Sequence, residues 1–112
     1  MNIILASKSK VRKKILDSNN INCKVVHSNV DEDQAKESLI AAGANPLLIS
    51  KNLAELKSIK ISKSHPDQLV LGADSVVSLN NKLINKPKSR EEALEILKRL
   101  NNSVHYLISS VC

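Results

Sequence analysis

Leu5-Ala6-Ser7-Lys8-Ser9-Lys10-Val11-Arg12-Lys13-Lys14-Ile15-Leu16 joins a short apolar run to two serines and a basic segment. Asn2 to Ala6 has the continuous apolar character of a buried strand, and from Lys10 onward Val11, Ile15 and Leu16 recur at helical spacing, so Ser7 and Ser9 stand on a strand-to-helix turn. A helix N-terminus leaves backbone N–H groups unpaired and carries a partial positive charge. With two hydroxyls beside it and Arg12 one turn on, this turn suits a phosphate. Ser9 acting only as an N-cap accounts for the same residues without a ligand.

Working outward, Asn19-Asn20 marks a turn and Cys23 to His27 a second strand, with Val25 and Val26 supplying β-branched bulk. Ser28 to Asp33 is a polar, acidic loop. Asp31 or Asp33 can cap a helix from about Gln34 to Ala42 that stops at Gly43, and Pro46 can open the next helix, with Ile49, Leu53 and Leu56 on its apolar face and its end before Ser64-His65-Pro66. Gln68 to Ala73 predicts a strand that Ser75 to Leu79 continues, and Asn80-Asn81 suits a tight hairpin returning through Lys82 to Asn85. Ser89-x-x-Glu92 is a capping box for a helix carrying Ala93, Ile96, Leu97 and Leu100, after which Asn101-Asn102 turns into a strand from Val104 to Cys112. The order is mixed β and α without repeats or a long linker. It predicts a single α/β domain over residues 1–112, one mixed sheet packed by helices.

Charge and composition narrow the class of partner. Seventeen Lys plus Arg against eleven Asp plus Glu give a formal net charge of +6, which favours an anionic partner. Tyr106 is the only aromatic residue, so the stacking platform of single-stranded nucleic-acid binders is missing, and a phosphate-directed site fits better than nucleic acid. Cys23 and Cys112 form no Cys-x-x-Cys pair and have no zinc-like His spacing, which predicts reduced thiols. No apolar run approaches the ~18 residues that span a bilayer, and a cytoplasmic protein is the expectation.

Asp74 stands out on chemistry alone. It interrupts Leu69, Val70, Leu71, Ala73, Val76 and Val77, which otherwise read as buried sheet, and an ionised carboxylate there is unfavourable unless paired, hydrogen-bonded or bound to a metal. Gly72 before it permits close backbone approach. A strand-end carboxylate paired with a lysine is the structural alternative. Lys57 follows Leu53 by one helical turn and so projects near a buried helix face, unusual for a solvated lysine. Pro87 fixes the backbone next to Lys86, and Glu32 lies in an acidic cluster with Asp31 and Asp33 that could equally cap a helix.

Leu5-Ala6-Ser7-x-Ser9-x-x-Arg12 with Ile15-Leu16 resembles the opening signature of the Maf proteins (Maf-like, or septum formation, proteins), which are nucleoside triphosphate pyrophosphatases. Val30-Asp31-Glu32, Leu53-Ala54-x-x-Lys57, Leu71-Gly72-Ala73-Asp74-Ser75-Val76-Val77, and Lys86-Pro87 with Arg90-Glu91-Glu92-Ala93, Leu97, Leu100, His105 and Ser109 are similar to further motifs of that family, in the same order. The resemblance implies a Maf-like fold (anticodon-binding/ITPase-like architecture). It also implies the N-terminal portion of a longer protein, apparently truncated after the N-terminal half, with the other wall of the cleft beyond Cys112, so the 112-residue chain alone is expected to hydrolyse nucleotides poorly or not at all.

What the resemblance implies for function is hydrolysis of a (d)NTP, including modified nucleotides, to a monophosphate and pyrophosphate. Asp74 takes the role of proton acceptor. Ser7, Arg12, Lys57 and Lys86 hold phosphate, and Glu32 with Asp74 holds Mg²⁺ or Mn²⁺, hard ions that favour carboxylate oxygen. Val11 and Ser75 occupy the positions where the family's base-selective branches differ. Members acting on dTTP and UTP usually have Ser-Pro-Arg-Arg and Asp-Thr there, and the 7-methyl-GTP branch has tryptophan and glutamine; Val11 matches neither, so weak base discrimination is expected. The last strand would present an unpaired edge bearing Leu107, Ile108 and Val111, which favours aggregation or a homodimer over a stable monomer. The competing reading from another class is a non-catalytic basic module gripping nucleic acid or an acidic partner, or an inactive remnant of the enzyme, with Asp74 structural.

Overall fold

A computed structural model describes residues 2–112. Elements follow in the order β1 (Ile3–Leu5), α1 (Lys10–Ser18), β2 (Cys23–Val25), α2 (Glu32–Ala41), α3 (Pro46–Ser64), β3 (Leu69–Leu71), β4 (Ala73–Leu79), β5 (Lys82–Ile84), α4 (Arg90–Leu100) and β6 (His105–Val111). The capping signals act as their chemistry dictates. Ser9, Asp31, Asn45 and Ser89 each accept a first-turn N–H with a side-chain oxygen, while Pro46 opens α3. Gly43 sits at φ +84°, past the end of α2. Asn80 and Asn81 both take positive φ, the requirement of a tight turn between β4 and β5.

The strands form two three-stranded sheets, where the sequence predicts one mixed sheet. The first is parallel, in the order β2-β1-β3, with Leu5 opposite Val25 on one side and Leu71 on the other. The second is antiparallel, in the order β5-β4-β6, with Asp74 opposite Ser110. The strand expected to run unbroken from Gln68 to Leu79 is shared between them. Residues 69–71 pair with β1, whereas Gly72 exchanges both backbone hydrogen bonds with Cys112 at 2.8 Å and so begins the β6 ladder. The changeover falls at Gly72 because α3 lies against it too closely for any side chain: a Cβ there would stand 2.3 Å from the Ala54 carbonyl oxygen.

Strand β1 is covered on both faces, as a central parallel strand requires, with Ile4 and Leu5 buried, and Ala6 just beyond it is buried too. Ile4 and Ala6 pack with Ile61 of α3, joined by Val26 and Val70. Helix α3 is the keystone, lying against β3, β4, β6 and α2. Ile49, Leu53 and Ile61 are buried on it, each contributing about 1.5–3 kcal/mol on transfer from water. Leu56, expected on that face, is 42% exposed. The buried face is centred instead on Ser50, Ala54, Lys57 and Ile61, so polar side chains occupy the middle of an inward stripe. Helix α4 forms where its capping box predicts, but it buries no residue completely, and Leu97 faces solvent with Leu94.

Candidate active site

The strand-to-helix turn after β1, the loop from Ser28 to Asp33, the inner face of α3 and the start of β4 converge on a cleft of about 590 Å³. It draws together Ser7, Arg12, Glu32, Lys57, Asp74, Ser75 and Lys86, residues spread over most of the sequence. Val11 is not among the lining residues; it points to solvent at 67% exposure on the outer side of α1.

At the turn, Ser7 is buried and accepts two hydrogen bonds, from the Ser9 N–H at 3.1 Å and from Arg12 Nη1 at 3.0 Å. The Arg12 N–H donates to Ser9 Oγ at 3.2 Å. Two N–H groups expected to greet an anion are thus used within the turn. Ser7 orients the Arg12 guanidinium and keeps its own hydroxyl proton free to donate.

Lys57 is the centre of the site's electrostatics. Its ammonium donates to the Ala73 carbonyl oxygen at 3.3 Å and to Asp74 Oδ1 at 3.4 Å, and it pairs with Glu32 at the start of α2. Three donors meet three acceptors, which is what allows a lysine ammonium to lie buried. Asp74 is buried with it, and Asp74 Oδ2 has no hydrogen-bond partner among the described residues. One ammonium between two carboxylates leaves this inner cluster with an excess negative charge. Burial pushes the Asp74 carboxyl above its ordinary value, Lys57 opposing this and Glu32 adding to it. For Glu32 partial burial also pulls upward, but the hydrogen bond and charge of Lys57, with Lys36 and Lys86, outweigh it and hold the carboxyl below its ordinary value. Two neighbouring carboxylates are therefore driven apart in acidity, a pattern that recurs at sites of proton transfer.

Lys8, Arg12, Lys36 and Lys86 surround this pair from the cleft's lining. Lys36 carries no motif signal in the sequence, although it follows Glu32 by one helical turn and so shares its face of α2. Ser75 lies at the cleft and is hydrogen-bonded to Ser109 of β6, Oγ to Oγ at 2.8 Å. His105 lies at the far end of β6, opposite Leu79 and outside the cleft lining.

The sequence profile for Maf-like proteins matches residues 2–112. The chain belongs to the Maf family. A relative from Pelagibacter ubique named nucleoside triphosphate pyrophosphatase is 64% identical over 98% of this chain and 56% of its own length. One of the same name from Ruegeria sp. strain TM1040 is 40% identical, over 96% of the chain and 54% of its own length. The dTTP/UTP pyrophosphatase of Clostridioides difficile is 37% identical over 99% and 54%. This Maf chain thus spans about half the length of the curated relatives it matches.

No cluster of three or more His, Cys, Asp or Glu side chains suited to a metal occurs among the described residues of the Maf chain. The carboxylate pair still fits a hard divalent ion. Mg²⁺ is commonly held by one or two carboxylates plus substrate phosphates, and the unpartnered Asp74 Oδ2 beside half-exposed Glu32 offers that donor set. No helix among the described residues is long and apolar enough to cross a membrane.

Proposed function

We infer that the cleft hydrolyses a nucleoside triphosphate between its α and β phosphates, giving a nucleoside monophosphate and pyrophosphate. The observation that carries this reading is a buried carboxylate with one unpartnered oxygen, Asp74 Oδ2, on a residue of a cleft whose lining supplies five cationic side chains. The names of the Maf relatives supply the reaction class.

In this mechanism Asp74 takes a proton from water as the water oxygen bonds to the α phosphorus, and the bond from that phosphorus to the bridging oxygen breaks to release pyrophosphate. Burial raises the pKa of Asp74, making its carboxylate the stronger base, and this suits it to hold that proton. Lys57 anchors Asp74 and Glu32 so that neither carboxylate has to reorganise during the step. Arg12, aimed by Ser7, and Lys86 grip phosphate oxygens, with Lys36 and Lys8 adding to the field. Glu32 and Asp74 would hold Mg²⁺ or Mn²⁺, which when bound neutralises charge on the phosphates. Ser75 is the cleft residue placed to touch the base or sugar, and with Val11 directed outward the discrimination between bases is weak. A homodimer through the exposed side of β6, where Leu107 and Val111 meet solvent, is a separate proposal that size-exclusion mass tests.

The deciding experiment measures pyrophosphate release from the common and modified triphosphates with Mg²⁺ or Mn²⁺, for the wild type and Asp74→Asn, alongside nucleotide binding. Metal-dependent release lost in Asp74→Asn with binding retained supports the assignment. Binding to nucleic acid that falls steeply with salt and survives chelation, with no release, would instead identify a basic binding module.

A further inference from the structure

Ser50 is fully buried in the first half of α3. A serine within a helix ordinarily bonds back to its own helix, and Ser58 and Ser64 do so, to Glu55 O and Ile61 O at 3.0 Å each. Ser50 instead reaches out of α3. Its Oγ donates to the Asp74 main-chain carbonyl at 3.2 Å and lies 2.9 Å from Ser110 Oγ. A hydroxyl carries one proton, so Ser110 supplies the second bond of this set. Asp74 and Ser110 are directly opposed in the β4–β6 ladder, so Ser50 ties α3 to both members of one strand pair.

Two helical turns further along, Lys57 holds the same segment of β4 by the Asp74 carboxylate and the Ala73 carbonyl. Beside these ties, Gly72 lies against the Ala54 and Ser58 backbone. The main chain of Asp74 is therefore pinned at one point of α3 and its side chain at another, and the separation between the two fixes where the carboxylate stands relative to the ammonium. Ser50 bonds Asp74 at its main-chain carbonyl and not at its carboxylate, and is not itself a residue of the cleft lining.

We propose that Ser50 is a positioning residue for Asp74, acting through the main chain of β4 to hold the carboxylate against Lys57. For catalysis this rests on Asp74 being the proton acceptor, but its test does not require turnover. Urea unfolding is measured for the 112-residue chain, Ser50→Ala, Asp74→Asn and the double variant. Asp74→Asn keeps the carbonyl that Ser50 bonds, so a merely structural hydroxyl gives the same loss in both backgrounds. A positioning hydroxyl loses less once the carboxylate is gone, and the effect of Ser50→Ala on the unfolding constant should shrink at least about fivefold in Asp74→Asn. Additivity within about twofold would overturn the proposal. Should Ser50→Ala not fold, Ser50→Cys, of similar size and with a weak S–H donor, enters the same cycle under the same criterion. In the hydrolysis assay Ser50→Ala should lower kcat about tenfold with KM within about twofold, since a displaced base affects the chemical step. Undiminished turnover in Asp74→Asn would count against Asp74 as proton acceptor, while the unfolding cycle decides the role of Ser50 whether or not the 112-residue chain hydrolyses nucleotide.

Discussion

Replacing Gly72 by alanine adds one methyl group at the point where α3 meets the sheets. That Cβ would lie 2.3 Å from Ala54 O, 2.8 Å from Ser58 N and 2.9 Å from Ser58 Cβ. Two of these are backbone atoms of α3, so no rotamer change relieves the clash. Retreat of the helix would instead stretch the Lys57 contacts to Ala73 and Asp74 and open the packing of Ile49 and Leu53. Small-to-large substitutions in packed interiors cost about 1–3 kcal/mol, and rigid backbone neighbours put this one at about 3 kcal/mol or more. Against a total stability of about 6–17 kcal/mol for a chain of this length, the variant folds. Its Tm falls by roughly 10–15 °C. The same substitution at Gly43 is the control. Nothing lies within 4 Å of its added Cβ, and the cost, about 1 kcal/mol, comes only from holding alanine at φ +84°. Thermal and urea unfolding followed by far-UV circular dichroism measure both. A Gly72→Ala chain within about 0.5 kcal/mol of wild type, or less destabilised than Gly43→Ala, would refute the close approach as the reason for glycine at that position.

Asp74→Asn should reduce pyrophosphate release by about 10²–10⁴-fold while nucleotide affinity, read by calorimetry, changes little. Lys57→Met removes the charge that holds the Asp74 pKa down, so the acidic limb of the rate–pH profile should move to higher pH; an unmoved limb would exclude Asp74 as the titrating base. Arg12→Ala and Lys86→Ala should each lower kcat/KM by about 10–100-fold and weaken binding as well, since phosphate contacts act in ground and transition states alike. In stability, Asp74 is raised in the folded state, so its contribution falls as pH climbs above about 4, whereas Glu32 is lowered, so its contribution is present above about 4 and lost as pH drops through its folded value. Urea midpoints across this range should therefore rise more with pH in Asp74→Asn than in wild type, and less in Glu32→Gln.

Local chemistry carried most of the elements and much of the site's membership. Ser9, Asp31, Asn45-Pro46 and Ser89 act through short-range capping, Asn80-Asn81 through backbone preference, and Asp74 and Lys57 stood out because a charge in an apolar pattern demands a partner nearby. What sequence could not settle depended on which segments meet. The division into two sheets follows from β1 ending its pairing at Leu71 while Gly72 turns to Cys112, a competition between partners far apart in the chain. The inward face of α3 departs from its apolar spacing at Leu56 because apolar spacing locates a core only when the core is apolar. Here Ser50 and Lys57 face inward, since β4 offers them a carbonyl and a carboxylate. Lys57 was legible as a buried lysine, but its double pairing with Glu32 and Asp74, and the free Oδ2 this leaves, arise only when α2, α3 and β4 are brought together. Residue types set which groups could do the chemistry; the distances among helices and strands decided which of them share a charge.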